Sequence, residues 1–428
     1  MGCRGVGVTG VQWRASVSAL LVAAVVVTAG CGSDDSDTEA QPTAQPEGTA
    51  GSFDWVMVEM DRQLETAVAL GDGFVGQTVD VKPDYDETSE EFPFVISVVV
   101  SPDGVTWTEP DIPVLQPDEG AWWASGGPWG AVATLMSPTS ESPAPDLLFT
   151  PDGEQWMRGR LPDDVLAKAE MGFGPESYAV GAAGLMVAAV FEGPEGAESV
   201  VLLTEDLQEW RSVEHPLPAS REMWLEVAAN ADGDYLLSQP GAGAAEQPAP
   251  IIAYTSSDGQ SWEPVTSTEE YQIVGWSNDW STGWRDGFAV VAEILPADSG
   301  GSEEGMGQPQ MWLSTADGAW EAIDMSAIPV SHLAPGDYHG SSLGLLASGG
   351  DWPEEGEGPG TEDTSLLYTA DGQTWQAIST RDTFDAGGVM PVVLGETKLL
   401  VGVIPETGGE GEGEQVIQQL WLGTPTEP

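Results

Sequence analysis

From about residue 53 onward, apolar residues fall in short runs such as Val98-Val99-Val100, Leu147-Leu148-Phe149 and Leu366-Leu367-Tyr368, each stopped by a polar turn. Short runs rich in β-branched and aromatic side chains and closed by Gly, Asp, Ser or Pro predict strands, not helices. The turn that follows repeats: Ser101-Pro102-Asp103-Gly104-Val105-Thr106-Trp107, Thr150-Pro151-Asp152-Gly153-Glu154-Gln155-Trp156, Ser256-Ser257-Asp258-Gly259-Gln260-Ser261-Trp262 and Thr369-Ala370-Asp371-Gly372-Gln373-Thr374-Trp375. Worn copies occur at Thr204-Glu205-Asp206-Leu207-Gln208-Glu209-Trp210 and Thr315-Ala316-Asp317-Gly318-Ala319-Trp320. Asp-Gly between two such runs marks a hairpin, because Gly accepts positive φ and the Asp carboxylate bonds the turn backbone.

The tryptophans at 107, 156, 210, 262, 320 and 375 recur every 49 to 58 residues, room for four strands and their turns. A second series runs in step with them: Gly73-Phe74, Gly130-Ala131, Gly184-Leu185, Gly233-Asp234, Gly287-Phe288 and Gly344-Leu345, with Lys398-Leu399 as a less regular copy. It predicts the second strand of each unit, which places the Asp-Gly hairpin between the third and fourth. Gln419-Leu420-Trp421-Leu422 aligns with the third strand at Gln310-Met311-Trp312-Leu313 and has no fourth after it, whereas Phe53 to Val58 reads as a fourth strand alone. Trp55 is in register with the tryptophan series. The pattern therefore predicts an all-β, seven-bladed β-propeller of four-stranded antiparallel blades over residues 53–428, its last blade closed by the N-terminal strand.

Composition narrows the function. The chain carries 70 Asp and Glu against 12 Lys and Arg, a net charge of -58. Such a surface repels phosphates, so nucleic acid is not a partner, and cations or basic groups are. The cysteines are Cys3 and Cys31, of which Cys3 lies within the leader described next, so no disulfide is expected.

The one long apolar run, Val17 to Ala29, follows Arg4 and Arg14 and is too short to span a bilayer comfortably, so residues 1–30 read as an export signal. Its end, Val27-Thr28-Ala29-Gly30-Cys31, resembles the lipobox of bacterial lipoproteins, with Thr28 where Leu, Val or Ile is usual. The resemblance implies lipidation of Cys31 and anchoring to the outer face of the cell membrane. Residues 31–52, polar and acidic, are expected to form a flexible tether.

The repeated turns resemble those of the Asp-box (BNR-repeat) β-propellers, the sialidases among them, with one residue fewer between Asp and Gly. The resemblance implies that Asp103, Gly104, Trp107, Asp152, Gly153, Trp156, Asp206, Trp210, Asp258, Gly259, Trp262, Asp317, Gly318, Trp320, Asp371, Gly372 and Trp375 are structural and lie opposite the active face. Sialidase chemistry would need gathered arginines, a Tyr–Glu pair and an acid. The folded region offers only Arg62, Arg158, Arg160, Arg211, Arg221, Arg285 and Arg381, without a motif that gathers them, and no catalytic residue is assigned.

Two features are candidates for binding. The loops joining second to third strands are acidic, at Asp84 to Glu91, Glu195 to Glu198, Glu303-Glu304, Asp351 to Asp363 and Glu410 to Glu414. Hard cations such as Ca²⁺ favour clustered carboxylates, but no EF-hand pattern is present and solvated loop is the competing reading. Trp122, Trp123, Trp129, Trp276, Trp280, Trp284 and Trp352 stand outside the blade series and could stack on a sugar ring, the stretch Trp276 to Asp286 being the most site-like, against core or inter-blade packing as the alternative. His215, His332 and His339 lack zinc spacing, so neither a metal site nor another cofactor is assigned.

The sequence thus predicts a monomeric, membrane-anchored, extracytoplasmic module that binds or scaffolds a protein, glycan or cation. A degenerate Asp-box glycoside hydrolase is the second reading. Cys31→Ser is expected to move the protein from the membrane fraction into the soluble one. Retention in the membrane fraction would refute the anchor.

Overall fold

The computed structural model describes residues 53–60, 62–81, 94–116, 119–136, 146–169, 175–193, 196–217, 225–239, 252–266, 281–294, 308–314, 320–324, 328–329, 332–350, 364–405 and 418–426. Among them the fold is all-β with two short helices.

The first strand, β1 (Phe53–Val58), stands apart in sequence from the sheet it joins. Next come β2 (Gln63–Leu70), β3 (Gly73–Val81) and β4 (Phe94–Ser101), then β5 (Gly120–Gly127), β6 (Gly130–Met136), β7 (Asp146–Thr150) and β8 (Met157–Gly159). These form one seven-stranded sheet in the order β4-β3-β2-β5-β6-β7-β8. Its halves are antiparallel meanders joined only by a single parallel pair, Leu70 with Gly127.

Four further meanders follow in chain order, each a four-stranded sheet. They are β9 (Pro175–Gly181), β10 (Gly184–Gly193), β11 (Gly196–Thr204) and β12 (Arg211–Val213); β13 (Glu226–Ala229), β14 (Tyr235–Gln239), β15 (Ile252–Ser256) and β16 (Glu263–Thr266); β17 (Ser281–Trp284), β18 (Gly287–Ile294), β19 (Gln308–Ser314) and β20 (Trp320–Ala322); and β21 (His332–Ser341), β22 (Gly344–Gly350), β23 (Thr364–Thr369) and β24 (Gln376–Ser379). The last strands, β25 (Ala386–Leu394), β26 (Leu399–Pro405) and β27 (Gln419–Pro425), take β1 as their fourth, paired from Phe53–Pro425 to Val58–Leu420. Helices α1 (Asp163–Ala169) and α2 (Thr380–Phe384) follow β8 and β24.

The first strand of each meander lies beside the first strand of the next. β2 neighbours β5, and contact continues through β9, β13, β17 and β21 to β25, which returns to β2. Strands radiating from a closed inner ring define a β-propeller, and radial repetition is how such a fold limits its open edges.

A meander has two apolar faces and can bury them only against its neighbours. An apolar cluster accordingly fills each junction. Val132, Leu147 and Phe149 meet Val180, Leu185, Val187 and Phe191, with Val165 and Leu166 of α1 closing the outer end. Leu346, Leu366 and Tyr368 meet Phe53, Leu399 and Val401. Each fully buried side chain of this kind contributes roughly 1.5–3 kcal/mol.

The two repeated sequence series meet at one corner. In each full turn the Asp Oδ1 accepts two backbone N–H bonds: Val105 (2.8 Å) and Thr106 (2.7 Å) on Asp103, Glu154 (2.9 Å) and Gln155 (2.7 Å) on Asp152, Gln260 (2.8 Å) and Ser261 (2.7 Å) on Asp258, Gln373 (2.8 Å) and Thr374 (2.7 Å) on Asp371. The Ser or Thr that opens the turn has its carbonyl pressed against the second-strand glycine. A Cβ on Gly184 would sit 2.2 Å from Thr204 O, and one on Gly344 2.3 Å from Thr369 O. The series are therefore two sides of one steric contact.

The turn glycines take positive φ and pack on the preceding sheet, Gly372 for example against Leu313 and Trp284. At the worn copy, Leu207 holds φ 60° in place of glycine. Its side chain is buried against the preceding junction, so burial offsets the strain of that backbone. Asp206 still accepts from Gln208 (2.8 Å) and Glu209 (2.9 Å). The other worn turn, Asp317-Gly318, lies outside the described residues. The turn tryptophans seal the same junctions: Trp107 stacks on Phe74 with centroids 6.5 Å apart, Trp156 packs on Trp123, and Trp210 donates to Arg160 O of the neighbouring sheet at 3.0 Å.

These bonds favour the ionised carboxylates. The Thr106 and Val105 amides hold Asp103 down to about 2, the Ser261 and Gln260 amides hold Asp258 lower still, and Asp206 and Asp371 are lowered in the same way. For a depressed folded pKa, the stabilisation is complete above the unfolded value of about 3.9 and is lost as pH falls through the folded value. Thermal melting is therefore expected to show stability declining from pH 4 towards pH 2. Asp103→Asn combined with Asp258→Asn should lower the melting temperature at pH 7 by a few degrees and flatten that decline. An unchanged slope would show that the turns are not its source.

Candidate functional site

Several of the strands that ring the axis carry runs of small residues. β5 ends Ala124-Ser125-Gly126-Gly127, β13 is Glu226-Val227-Ala228-Ala229, and β17 opens Ser281-Thr282-Gly283. The inner strands β2, β5, β9, β13, β17, β21 and β25 contain the carboxylates Glu65, Glu176, Glu226 and Asp337 and no lysine or arginine. Glu226 is buried and accepts from Ser281 Oγ of the adjoining inner strand at 3.2 Å. Burial pushes the Glu65 carboxyl up. Ser177 Oγ both donates to Val227 O and accepts from Val227 N, each at 3.1 Å, stitching β9 to β13.

At the mouth on the side of the Asp-Gly turns, and not the opposite face to which the resemblance assigned the active site, the hairpins between first and second strands bond to one another. Gly71 N donates to Gly127 O (3.0 Å), Ala182 N to Gly233 O (3.0 Å), Ala231 N to Arg285 O (3.0 Å) and Arg285 N to Ser341 O (2.9 Å). Ser342 Oγ continues the belt to Glu396 O at 3.0 Å. Trp129, at the tip of the Gly127–Gly130 hairpin, donates from Nε1 to Ala231 O at 3.2 Å, and its indole lies where a side chain on Gly233 would be. Its 40 % exposure makes it the aromatic ring most open to solvent among the described residues. The same hairpins carry Asp72, Asp232, Asp234, Asp286 and Glu396 against Arg285 and Lys398, whose Nζ donates to Asp103 O at 2.7 Å. Desolvation and the neighbouring Asp232 charge raise the Asp234 carboxyl.

The described arginines outside this mouth are dispersed and mostly bound to carboxylates. Arg62 pairs with Glu109 and with Asp80 (3.3 Å), Arg160 with Asp163 (3.3 Å) and Arg211 with Glu205 (3.2 Å). Arg158 grips Glu119 with two bonds of 2.7 and 2.9 Å and also reaches Asp146 at 2.6 Å and Val114 O at 3.2 Å. For Glu119, desolvation raises the carboxyl, but the Arg158 bonds and the Gln116 amide outweigh it and the net direction is down. Each of these pairs lies within one meander and its connections, and the described arginines form no cluster around a substrate carboxylate.

Trp284, expected from the sequence as a ligand-stacking candidate, is a core residue instead. It is 8 % exposed and packs with Leu313, Tyr338 and Trp375, because the strand end that carries it faces the next sheet. Trp276, Trp280, Trp352, Cys31 and Arg221 lie outside the described residues, as do most of the acidic loops. Glu198, the described member of those loops, pairs with Lys168 at 2.5 Å. Among the described residues no group of three or more His, Cys, Asp or Glu is placed to hold a metal. Of the described tryptophans outside the blade series, Trp129 is the exposed one: it stands just before a second-strand glycine, on a hairpin tip, whereas Trp123 and Trp284 are buried.

No family model matches the chain, and no curated protein matches it. Among solved structures, the chain is similar to the β-propeller domain of the Trilobed protease from Pyrococcus furiosus, with 9% identity, a TM-score of 0.47, and coverage of 85% of this chain and 93% of that one. It is also similar to the SapL1 lectin in complex with α-methyl fucoside, at 10% identity and TM-score 0.39 over 75% of this chain and 96% of that one. A third is the α-L-arabinofuranosidase of Fusarium graminearum, at 14% identity and TM-score 0.35 over 78% and 99%.

If Arg158 is structural, Arg158→Ala should cost about 2–4 kcal/mol in unfolding free energy by stranding the buried Glu119. Adding Glu119→Gln should recover part of that loss, and Arg285→Ala should leave stability unchanged. Denaturant titration of the three variants checks this.

Proposed function

We propose that the chain is a seven-bladed propeller, lipid-anchored through Cys31 at the outer face of the cell membrane, that works as a binding module for a cationic group presented by a protein or glycan. Five four-stranded sheets, with the seven-stranded sheet divided at the Leu70–Gly127 pair, support the count. The observation that carries the binding reading is the inner ring, whose described side chains include the carboxylates Glu65 and Glu226 and whose strands hold no Lys or Arg. In a chain of net charge -58, that axis sits in a field that draws cations and raises their local concentration. Trp129 adds an aromatic face at the mouth, on which an ammonium or guanidinium group can stack. The sialidase-like alternative asks for gathered arginines, whereas Arg62, Arg158, Arg160 and Arg211 are each held by their own carboxylates.

Calorimetry with a lysine octamer tests the proposal. Binding is expected at low salt, with affinity falling at least tenfold between about 50 and 500 mM NaCl as screening shortens the field. Glu65→Gln with Glu226→Gln, or Trp129→Ala, should weaken it severalfold. Octamer binding that neither variant alters would place the attraction on the general surface and reject the axis.

A further inference from the structure

Among the described residues, six of the meanders complete a fourth strand and one does not. On the outer side of β4, Val100 and Thr108 exchange both backbone bonds at 2.9 Å, and among the described residues this isolated bridge is all that pairs there. The reason is local. In an antiparallel ladder every second residue bonds to the same side, so after Val100 the outward-facing groups of β4 belong to Val98 and Ile96. The position two beyond Thr108 is Pro110, which has no N–H to offer Val98, and Pro113 follows. The chain instead turns away, burying Ile112, Val114 and Leu115 against the junction with β5 and β6.

The edge left behind differs from every other outer edge in the ring. The outermost strands β8, β12 and β20 are three residues long, and each carries a charge, Arg158, Arg211 and Glu321. β16 holds Glu263 and Pro264, β1 holds Asp54, and β24 is only Gln376–Ser379. Short length, charge and proline are the devices that keep an edge from recruiting another strand. β4 has none of them: Phe94-Val95-Ile96-Ser97-Val98-Val99-Val100-Ser101 is eight residues without charge or proline, and Val95 is 42 % exposed.

We infer that the outer edge of β4 is a docking site where an extended segment of a basic partner protein adds as the missing fourth strand. The open ladder supplies backbone recognition at Ile96 and Val98, and Val95 offers an apolar contact. Charge selects the occupant. Exposed Asp111 flanks the edge beside Glu109, which Arg62 already holds, and a second copy of this chain would bring another -58 to the contact. This surface is separate from the axis and does not depend on ligand binding there.

Residue-resolved hydrogen exchange on the full chain tests the inference, with an alternating Thr-Val peptide carrying two lysines at each end as probe. In the free protein the Ile96 and Val98 amides should exchange fast, while those of Ser97 and Val99, which face β3, are protected. The peptide should slow Ile96 and Val98 at least tenfold, and should do so equally in the Glu65→Gln/Glu226→Gln variant, which separates this site from the axis. A peptide N-methylated at its bonding amides, or Val95→Glu in the protein, should weaken that protection at least fivefold; Ile96→Pro should abolish it. Ile96 and Val98 amides already protected in the free chain, protection that grows with protein concentration alone, or an acidic-flanked peptide binding equally well would each overturn the inference.

Discussion

Everything in this molecule depends on each thin sheet finding a neighbour for both of its faces. No single meander can bury its apolar side chains alone, so the chain is stable only once the sequence of junctions returns to its start. That return is made by the antiparallel pairing of β1 with β27, which completes the sheet of β25 and β26 and lets Phe53 reach the cluster around Tyr368 and Leu399. The Asp-Gly corner repeats because each junction poses the same steric problem. A tight turn must lay its glycine on the preceding sheet while its opening carbonyl presses on the second strand.

The axis follows from the same constraint. Inner strands converge, and convergence favours Gly, Ala and Ser, whose small side chains let neighbouring backbones approach. A Cβ on Gly283 would fall 1.8 Å from Ala229 O, and one on Gly340 2.0 Å from Gly283 O. A wall of that kind leaves few positions for functional groups, so the identity of those few decides what the axis attracts. Glu65 and Glu226 are such groups on the inner strands, while Arg62, Arg158 and Arg211 pair with carboxylates of their own meanders.

Much of this was legible in the sequence, because the Asp-Gly turns, the second-strand glycines and the unpaired N-terminal strand all obey short-range rules. Asp103, Asp152, Asp258 and Asp371 bond amides two and three residues on, and that geometry is written into seven consecutive positions. The candidate site was less legible. Trp284 sits in a stretch dense with Trp, Asn and Asp that reads as surface, yet its environment is fixed by Trp375 and Tyr338, far along the chain. The bidentate hold of Arg158 on Glu119 is likewise non-local, and nothing near either residue announces it. Pro110 was visible throughout; its meaning required knowing that Thr108 had already begun to pair.

A ring has no terminal repeat to fray, which removes the usual starting point of unfolding in repeat proteins. What remains is a seam. The Trp55 indole lies flat on the backbone at Gly423, where a Cβ would come within 2.7 Å of the ring, and its edge meets Phe384 at 4.8 Å between centroids. Only six residues of β1 hold that seam, and Val56 and Met57 on it face solvent. Opening there bares the bonding edge of β27 and withdraws Phe53 from the cluster around Tyr368 and Leu399, so one short strand links the edge of the last sheet to the packing of the junction before it.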